Sequence, residues 1–365
     1  MSPLQQLILA RIQREGPITF ADYMRMALYE PGYGYYVTGA AKMGWEGDYY
    51  TSADVSSFFA RCFGRQLYQM WELLARPAPF VVREQGAGRG DLAAGIQAWA
   101  ATEYPTFSEA LDYGCEDISA GQDALGEQTD APSVLLSNEL VDAFPVHIVA
   151  LHEKRLYEVY VAAQDGRFYE LLDEPSSPEV AAYLDSYKIP WPTFEDGWRA
   201  EINLDATRWM ARSARRLLGP AQRRKRRGFL LAIDYGDRAR ELYTPYRPQG
   251  TLACYLRHQL TDRPLARPGE QDITAHVNFS ALINEGRHHG LRLHAFTTQR
   301  QWLSGLGIYE ELERTRARDF AIIDTARGSD RGQVALLQWY NLRQGVMALA
   351  DPAGMGNFKV LIMKR

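Results

Sequence analysis

Apolar positions recur every three to four residues from the start of the chain. Leu4, Leu7, Ile8 and Ile12 predict a short amphipathic helix that stops at Gly16 and Pro17. Thr19, three residues before Asp22, has capping-box spacing and opens a second helix, which breaks at Glu30, Pro31 and Gly32. Phe59, Phe63, Leu67, Met70 and Leu74 mark one face of a longer helix over 56–74. The pattern then changes to continuous apolar runs that close on acids. Residues 80–84 end on Glu84, 111–117 on Glu116 and Asp117, and 229–234 on Asp234, while 133–136 run into Asn138 and Glu139. Helical patterns over 92–99 and 204–218 separate them, as in a doubly wound α/β sheet. From 146 to 172 the pattern turns to short strands, which predicts an antiparallel insertion, and 291–296 and 358–363 supply the last strands. A further helix is expected to open at 271–279, with Asp272 and His276 on one face as a polar pair fixing a loop.

The chemistry-bearing stretch follows the first buried strand. Gly86, Gly88 and Gly90 alternate after Glu84, then Asp91 opens a helix. Glycine is needed where the turn is tight and a ligand lies against bare backbone. A dinucleotide loop, G-x-G-x-x-G, would need glycine at position 91, and the Asp91 carboxylate would repel a pyrophosphate. The loop resembles the cofactor loop of S-adenosylmethionine-dependent methyltransferases: an acid, any residue, then G-x-G-x-G. A purely structural strand-turn-helix is the alternative.

In doubly wound sheets the acid closing the second strand accepts ribose hydroxyls, and both Glu116 and Asp117 stand there. Asn138, Glu139 and Asp142 lie beyond the carboxyl end of the next strand, where a substrate would be held; the alternative is an acid-rich, asparagine-capped helix start. Tyrosine and glycine crowd 32–36 and 47–52, a composition that suits either local packing or a lid over a flat ligand.

Composition narrows the class. The 365 residues are 46% hydrophobic and 24% charged with net charge −4, which gives no reason to expect a nucleic-acid partner. The basic run at 223–227 reads as a solvated turn. Cys62, Cys115 and Cys254 are scattered, without a metal-ligand cluster or disulfide framework, so no metal site is expected. Residues 1–6 lack a basic region followed by an apolar core and no apolar run reaches membrane-spanning length, so neither a signal peptide nor a membrane span is expected, and a cytoplasmic location is.

Several motifs in order resemble the MidA-like methyltransferase family, relatives of the mitochondrial complex I assembly factor with protein-arginine methyltransferase activity. They are Tyr29 to Tyr36, Gly47 to Ser52, Glu84 to Gly90, Ser137 to His147, Ile233 to Gly236, Gln249 to Leu252 and Gln271 to Val277. The resemblance is closest to cyanobacterial-type members. It implies a class I methyltransferase, a Rossmann-like α/β sheet with an N-terminal helical cap and an α+β insertion. The segments would be cap and lid loop at 1–78, core at 79–145, insertion at 146–226 and core again at 227–365. Gly86, Ala87, Gly88 and Gly90 would lie against S-adenosylmethionine, with Glu84 facing its methionine portion. Asp117, preferred to Glu116 because Ser119 follows it at the family spacing, would take the ribose hydroxyls. Asp48 and Thr51 would close the site. Two departures stand out: 119–133 is too short for the usual helix and third strand, and Asn278 replaces a common aspartate.

The chemistry implied is methyl transfer to a nitrogen, without a metal. Glu139 and Asp142 would clamp a guanidinium, Asn138 would orient it, and Asp234 is an outside candidate. A protein-arginine methyltransferase acting on a respiratory-complex subunit leads. A small-molecule methyltransferase and an assembly or binding factor with weakened catalysis are the alternatives, and a homodimer is left open.

Overall fold

Six strands form the central sheet: β1 (Phe80–Gln85), β2 (Leu111–Glu116), β3 (Val134–Asn138), β4 (Phe229–Asp234), β5 (Arg292–Thr298) and β6 (Lys359–Lys364). They are seen in a computed structural model that describes residues 1–38, 57–117, 131–219, 227–256 and 259–365. The order across the sheet is β2-β1-β3-β4-β6-β5. The first four strands are mutually parallel, and β6 runs antiparallel between β4 and β5. Every residue of β3 and β4 is buried, because helices cover both faces.

Strand alternation sorts the two covers. Leu231 and Ile233 face a layer that includes α3 (Ser57–Leu73) and α4 (Asp91–Glu103). Leu230 and Ala232 face α5 (Leu204–Leu218) and α6 (Phe279–His288). Register brings the functional edge into line: Gln85 pairs with Glu116 on one side and Ser137 on the other, and Asn138 pairs with Ile233.

The N-terminal helices, α1 (Pro3–Glu15) and α2 (Phe20–Tyr29), form as the sequence predicts. Thr19 Oγ1 accepts from the Asp22 amide at 3.1 Å, and Leu4, Ile8 and Ile12 are the buried face of α1. Both helices are seated on the insertion rather than on the central sheet. Ile18 pairs with Val161 in the long strand Arg155–Gln164, which also pairs with His147–His152 and Arg167–Asp173. Arg199–Ile202 completes this second sheet.

One expectation fails here. Asp272–Thr274 is a strand that pairs with Ala253–Leu256, and α6 starts only at Phe279. Asp272 and His276 therefore share no helical face. Asp272 takes the Tyr36 hydroxyl at 2.7 Å, and the His276 ring lies edge-on to Tyr235. The helix signal is overridden because α6 is capped later, by Asn278, whose side chain accepts from the amides of Ser280 and Ala281. Asn278 also donates to the Tyr183 hydroxyl, which an aspartate cannot do when ionised.

Candidate active site

The glycine turn hangs from the end of β2. Gly86 N and Ala87 N both donate to the Glu116 carbonyl, at 2.8 and 3.3 Å. Gly86, Gly88 and Gly90 all have positive φ, at 75°, 53° and 78°, so the turn needs residues without a Cβ. A Cβ on Gly86 would also lie 2.8 Å from Leu140 Cδ1. The result is a stretch of bare backbone at the N-terminus of α4, with Gly90 as N-cap and Asp91 in the first turn.

The acids around this turn differ in availability. Glu84 is 3% exposed and accepts from the Tyr113 hydroxyl at 2.8 Å. Burial raises it to about 7, with Tyr113 pulling the other way. Glu116 is held by Arg216 through two hydrogen bonds of 2.7 and 2.6 Å. Asp117 is exposed, and its carboxylate accepts from Gly88 N. Of the two acids closing β2, Asp117 thus faces outward beside the glycine turn, and Glu116 anchors the strand end. Asp48, Thr51 and Ser119 lie outside the described residues, as do the 47–52 loop and most of the shortened 119–133 segment.

Asn138, Glu139 and Asp142 come together beyond β3. No α-helix follows them; the chain makes a short 3-10 turn, Val141–Ala143, and enters the insertion. Glu139 adopts φ 50°, a left-handed conformation costly for a side chain with a Cβ. Asn138 Nδ2 donates to Glu139 Oε1 at 3.2 Å. Asp142 accepts a short hydrogen bond from the Tyr235 hydroxyl. Burial raises the Asp142 pKa, and that bond lowers it. Asn138 Oδ1 and Asp142 Oδ1 are buried with no hydrogen-bond partner among the described residues.

Asp234 sits next to them in another role. One of its oxygens accepts from Val141 N and Asp142 N at 2.9 and 3.2 Å, and the other from Tyr235 N. It is 1% exposed, and burial with the neighbouring Asp142 carboxylate raises its pKa. Asp234 holds the turn that presents Asp142.

Three residues that the sequence reading did not single out complete the surroundings. Gln85 is buried and accepts from Trp209 Nε1 of α5 at 3.0 Å. Tyr235 supplies the donor to Asp142. Tyr29, at the end of α2, donates to the Ala143 carbonyl at 2.8 Å, joining the N-terminal helices to the same turn. Tyr29 also stacks on Tyr36, and Tyr35 is buried, so part of the tyrosine-glycine stretch packs locally while Tyr33 stays exposed. Gln85, Tyr235 and Tyr29 all fall within the motifs quoted above, whose local pattern gives no sign of these contacts.

The family of S-adenosyl-L-methionine-dependent methyltransferases matches residues 62–129 and 122–297. The chain belongs to this family. A crystal structure from Burkholderia thailandensis with S-adenosyl-homocysteine bound is 30% identical, with TM-score 0.80, covering 99% of this chain and 92% of that one. The native structure of a Burkholderia thailandensis protein of the same superfamily is 27% identical, with TM-score 0.76, covering 99% and 91%. Among curated relatives, the Drosophila melanogaster protein arginine methyltransferase NDUFAF7 homolog, mitochondrial, is 26% identical over 99% of this chain and 84% of its own length. The Rattus norvegicus protein arginine methyltransferase NDUFAF7, mitochondrial, is 26% identical over 98% and 83%. The chain is therefore a class I methyltransferase-like fold that uses S-adenosylmethionine. Among the described residues no helix is long and apolar enough to cross a membrane.

Proposed function

We propose that this methyltransferase acts on arginine side chains of a protein substrate. The observation that carries the reading is the pair of buried acceptors, Asn138 Oδ1 and Asp142 Oδ1, beside Glu139 at the carboxyl edge of the sheet. Buried acceptors left unmatched are costly, and a guanidinium brings five N–H donors and no acceptor. The names of the fly and rat relatives support the same reading.

On this reading Gly86, Ala87, Gly88 and Gly90 lie against the cofactor, Glu84 faces its cationic methionine portion, and Asp117 with Ser119 takes the ribose hydroxyls. When bound, S-adenosylmethionine supplies a methyl group on a positively charged sulfur. Glu139 and Asp142 grip the guanidinium while Asn138 fixes its plane, leaving one nitrogen facing the methyl. Methylation of that nitrogen releases a proton. Asp142, whose hold on a proton is strengthened by burial, accepts it beside the Tyr235 hydroxyl.

Three free cysteines fit a reducing, cytoplasmic compartment. A respiratory-type complex subunit is the first protein substrate to test. Incubation with labelled cofactor and host lysate should put label on protein, at arginine. Label confined to the low-molecular-weight fraction would favour a small-molecule acceptor. No label, with S-adenosyl-homocysteine binding intact, would sink the enzymatic reading and leave a binding factor.

A further inference from the structure

The strand Arg167–Asp173 is an open edge of the insertion sheet. It pairs with Arg155–Gln164 along its whole length, from Gln164 opposite Arg167 to Glu158 opposite Asp173, and among the described residues with no other strand. All of its residues except Phe168 are exposed, including Tyr169 at 45%, Leu171 at 39% and Leu172 at 42%. A row of unpaired backbone groups flanked by apolar side chains is a template for another strand. Neither a bulge nor a proline interrupts this edge: its register with Arg155–Gln164 is regular.

What selects the occupant is the order of charges. Reading Arg167, Glu170, Asp173 forwards on one strand and backwards on a second copy sets cation against anion at both ends. We propose that two copies of this chain pair antiparallel along Arg167–Asp173, about a two-fold axis through Glu170. Arg167 then lies opposite the partner's Asp173, Phe168 opposite the partner's Leu172, and Tyr169 opposite the partner's Leu171. Arg167, Tyr169, Leu171 and Asp173 share one face through the two-residue period, so each ion pair borders an apolar cross-strand pair. The one like-charge encounter, Glu170 with the partner's Glu170, is already neutralised. Arg199 donates to both Glu170 oxygens, at 2.8 and 2.9 Å. Sliding the register by two residues in either direction loses both end pairs, so the charges define the alignment. Such a dimer is isologous, and it joins the two insertion sheets into one. It is independent of the reaction proposed above.

The test is the oligomeric state of the full chain by sedimentation velocity and light scattering over a concentration series. It compares the wild type with Arg167→Asp, Asp173→Arg and the double variant. The wild type should dimerise, each single reversal should weaken the dimer at least about tenfold, and the double reversal should restore it to within about threefold. Both positions are exposed, and circular dichroism checks that the variants fold. On the wild type alone, amide exchange at 167–173 should slow as concentration rises. A wild type that stays monomeric at a few hundred micromolar would overturn the proposal and leave the edge open or covered by a different protein. A dimer indifferent to both reversals, or a double variant that remains monomeric, would overturn it as well.

Discussion

Arg216 of α5 donates Nη1 and Nη2 to the two carboxylate oxygens of Glu116, at 2.7 and 2.6 Å, with both side chains only about a tenth exposed (10% and 9%). The same Glu116 offers its carbonyl to Gly86 N and Ala87 N, and the next residue, Asp117, accepts from Gly88 N. A helix ending the insertion thus fixes the end of β2, and through it the glycine turn.

Removing Arg216 should loosen that turn. Arg216→Met leaves the Glu116 carboxylate buried without its cation, a loss of about 3–5 kcal/mol for a broken buried pair. The melting temperature should fall, and S-adenosyl-homocysteine affinity by calorimetry should drop at least about tenfold. Arg216→Met with Glu116→Gln should regain much of the stability, since no buried charge is then left alone. Unchanged affinity in Arg216→Met would separate the ion pair from cofactor binding.

Facing the cofactor as proposed, Glu84 should give cofactor binding a pH dependence. Its carboxyl is lifted by burial from the ordinary 4.5 to about 7, so the folded chain holds this proton more tightly than the unfolded chain does. Sign follows: the group adds stability below about pH 4.5 that is lost as pH rises through about 7. A cationic ligand favours the ionised form. S-adenosylmethionine affinity should therefore climb from about pH 6 to about pH 8 in the wild type and stay flat in Glu84→Gln. The same variant, without ligand, should melt higher than wild type at pH 8. A wild-type affinity that ignores pH would contradict the assignment of Glu84 to the methionine portion.

On the acceptor side, the pair to separate is Asp142 and Tyr235. Asp142→Asn should cut label transfer to protein by about 10–100-fold, the usual worth of a charge-assisted hydrogen bond, with cofactor affinity changed less than about twofold. Tyr235→Phe removes only the hydroxyl that orients Asp142, and a loss of about five- to tenfold is expected. Its rate profile should also shift toward a higher pH, because the bond that lowers the Asp142 pKa is gone. Equal losses of cofactor affinity and of rate in Asp142→Asn would place Asp142 in cofactor binding instead.

Gly88→Val introduces a β-branched residue at φ 53°, where such side chains are strongly disfavoured. The chain should remain folded, because the turn sits at the surface. Cofactor binding by calorimetry should be lost. Normal affinity in a folded Gly88→Val would mean that the cofactor does not rest on this turn.

Much of this site can be read along the chain because its parts are local. Gly86, Gly88 and Gly90 announce a turn by their own conformational requirements, and the apolar runs before Glu84 and Asn138 place both stretches at strand ends. The Asp272 and His276 expectation failed for the opposite reason. Their spacing fits a helix, but pairing of Asp272–Thr274 with Ala253–Leu256 overrides local propensity, and that partner is some twenty residues away. The ion pair that holds Glu116 likewise comes from Arg216, a hundred residues downstream.

By itself the sequence determined the alternating strands and helices, the place of the antiparallel insertion, the family and its cofactor. Periodicity, glycine spacing and ordered motifs are properties of neighbouring residues and survive without a fold. Only the tertiary structure decided which partner each carboxylate meets. Glu116 meets Arg216, Asp234 meets the amides of Val141 and Asp142, and Asp142 meets Tyr235. The physical reason is that burial and pairing set the availability of a carboxylate, and both come from elements brought together by folding.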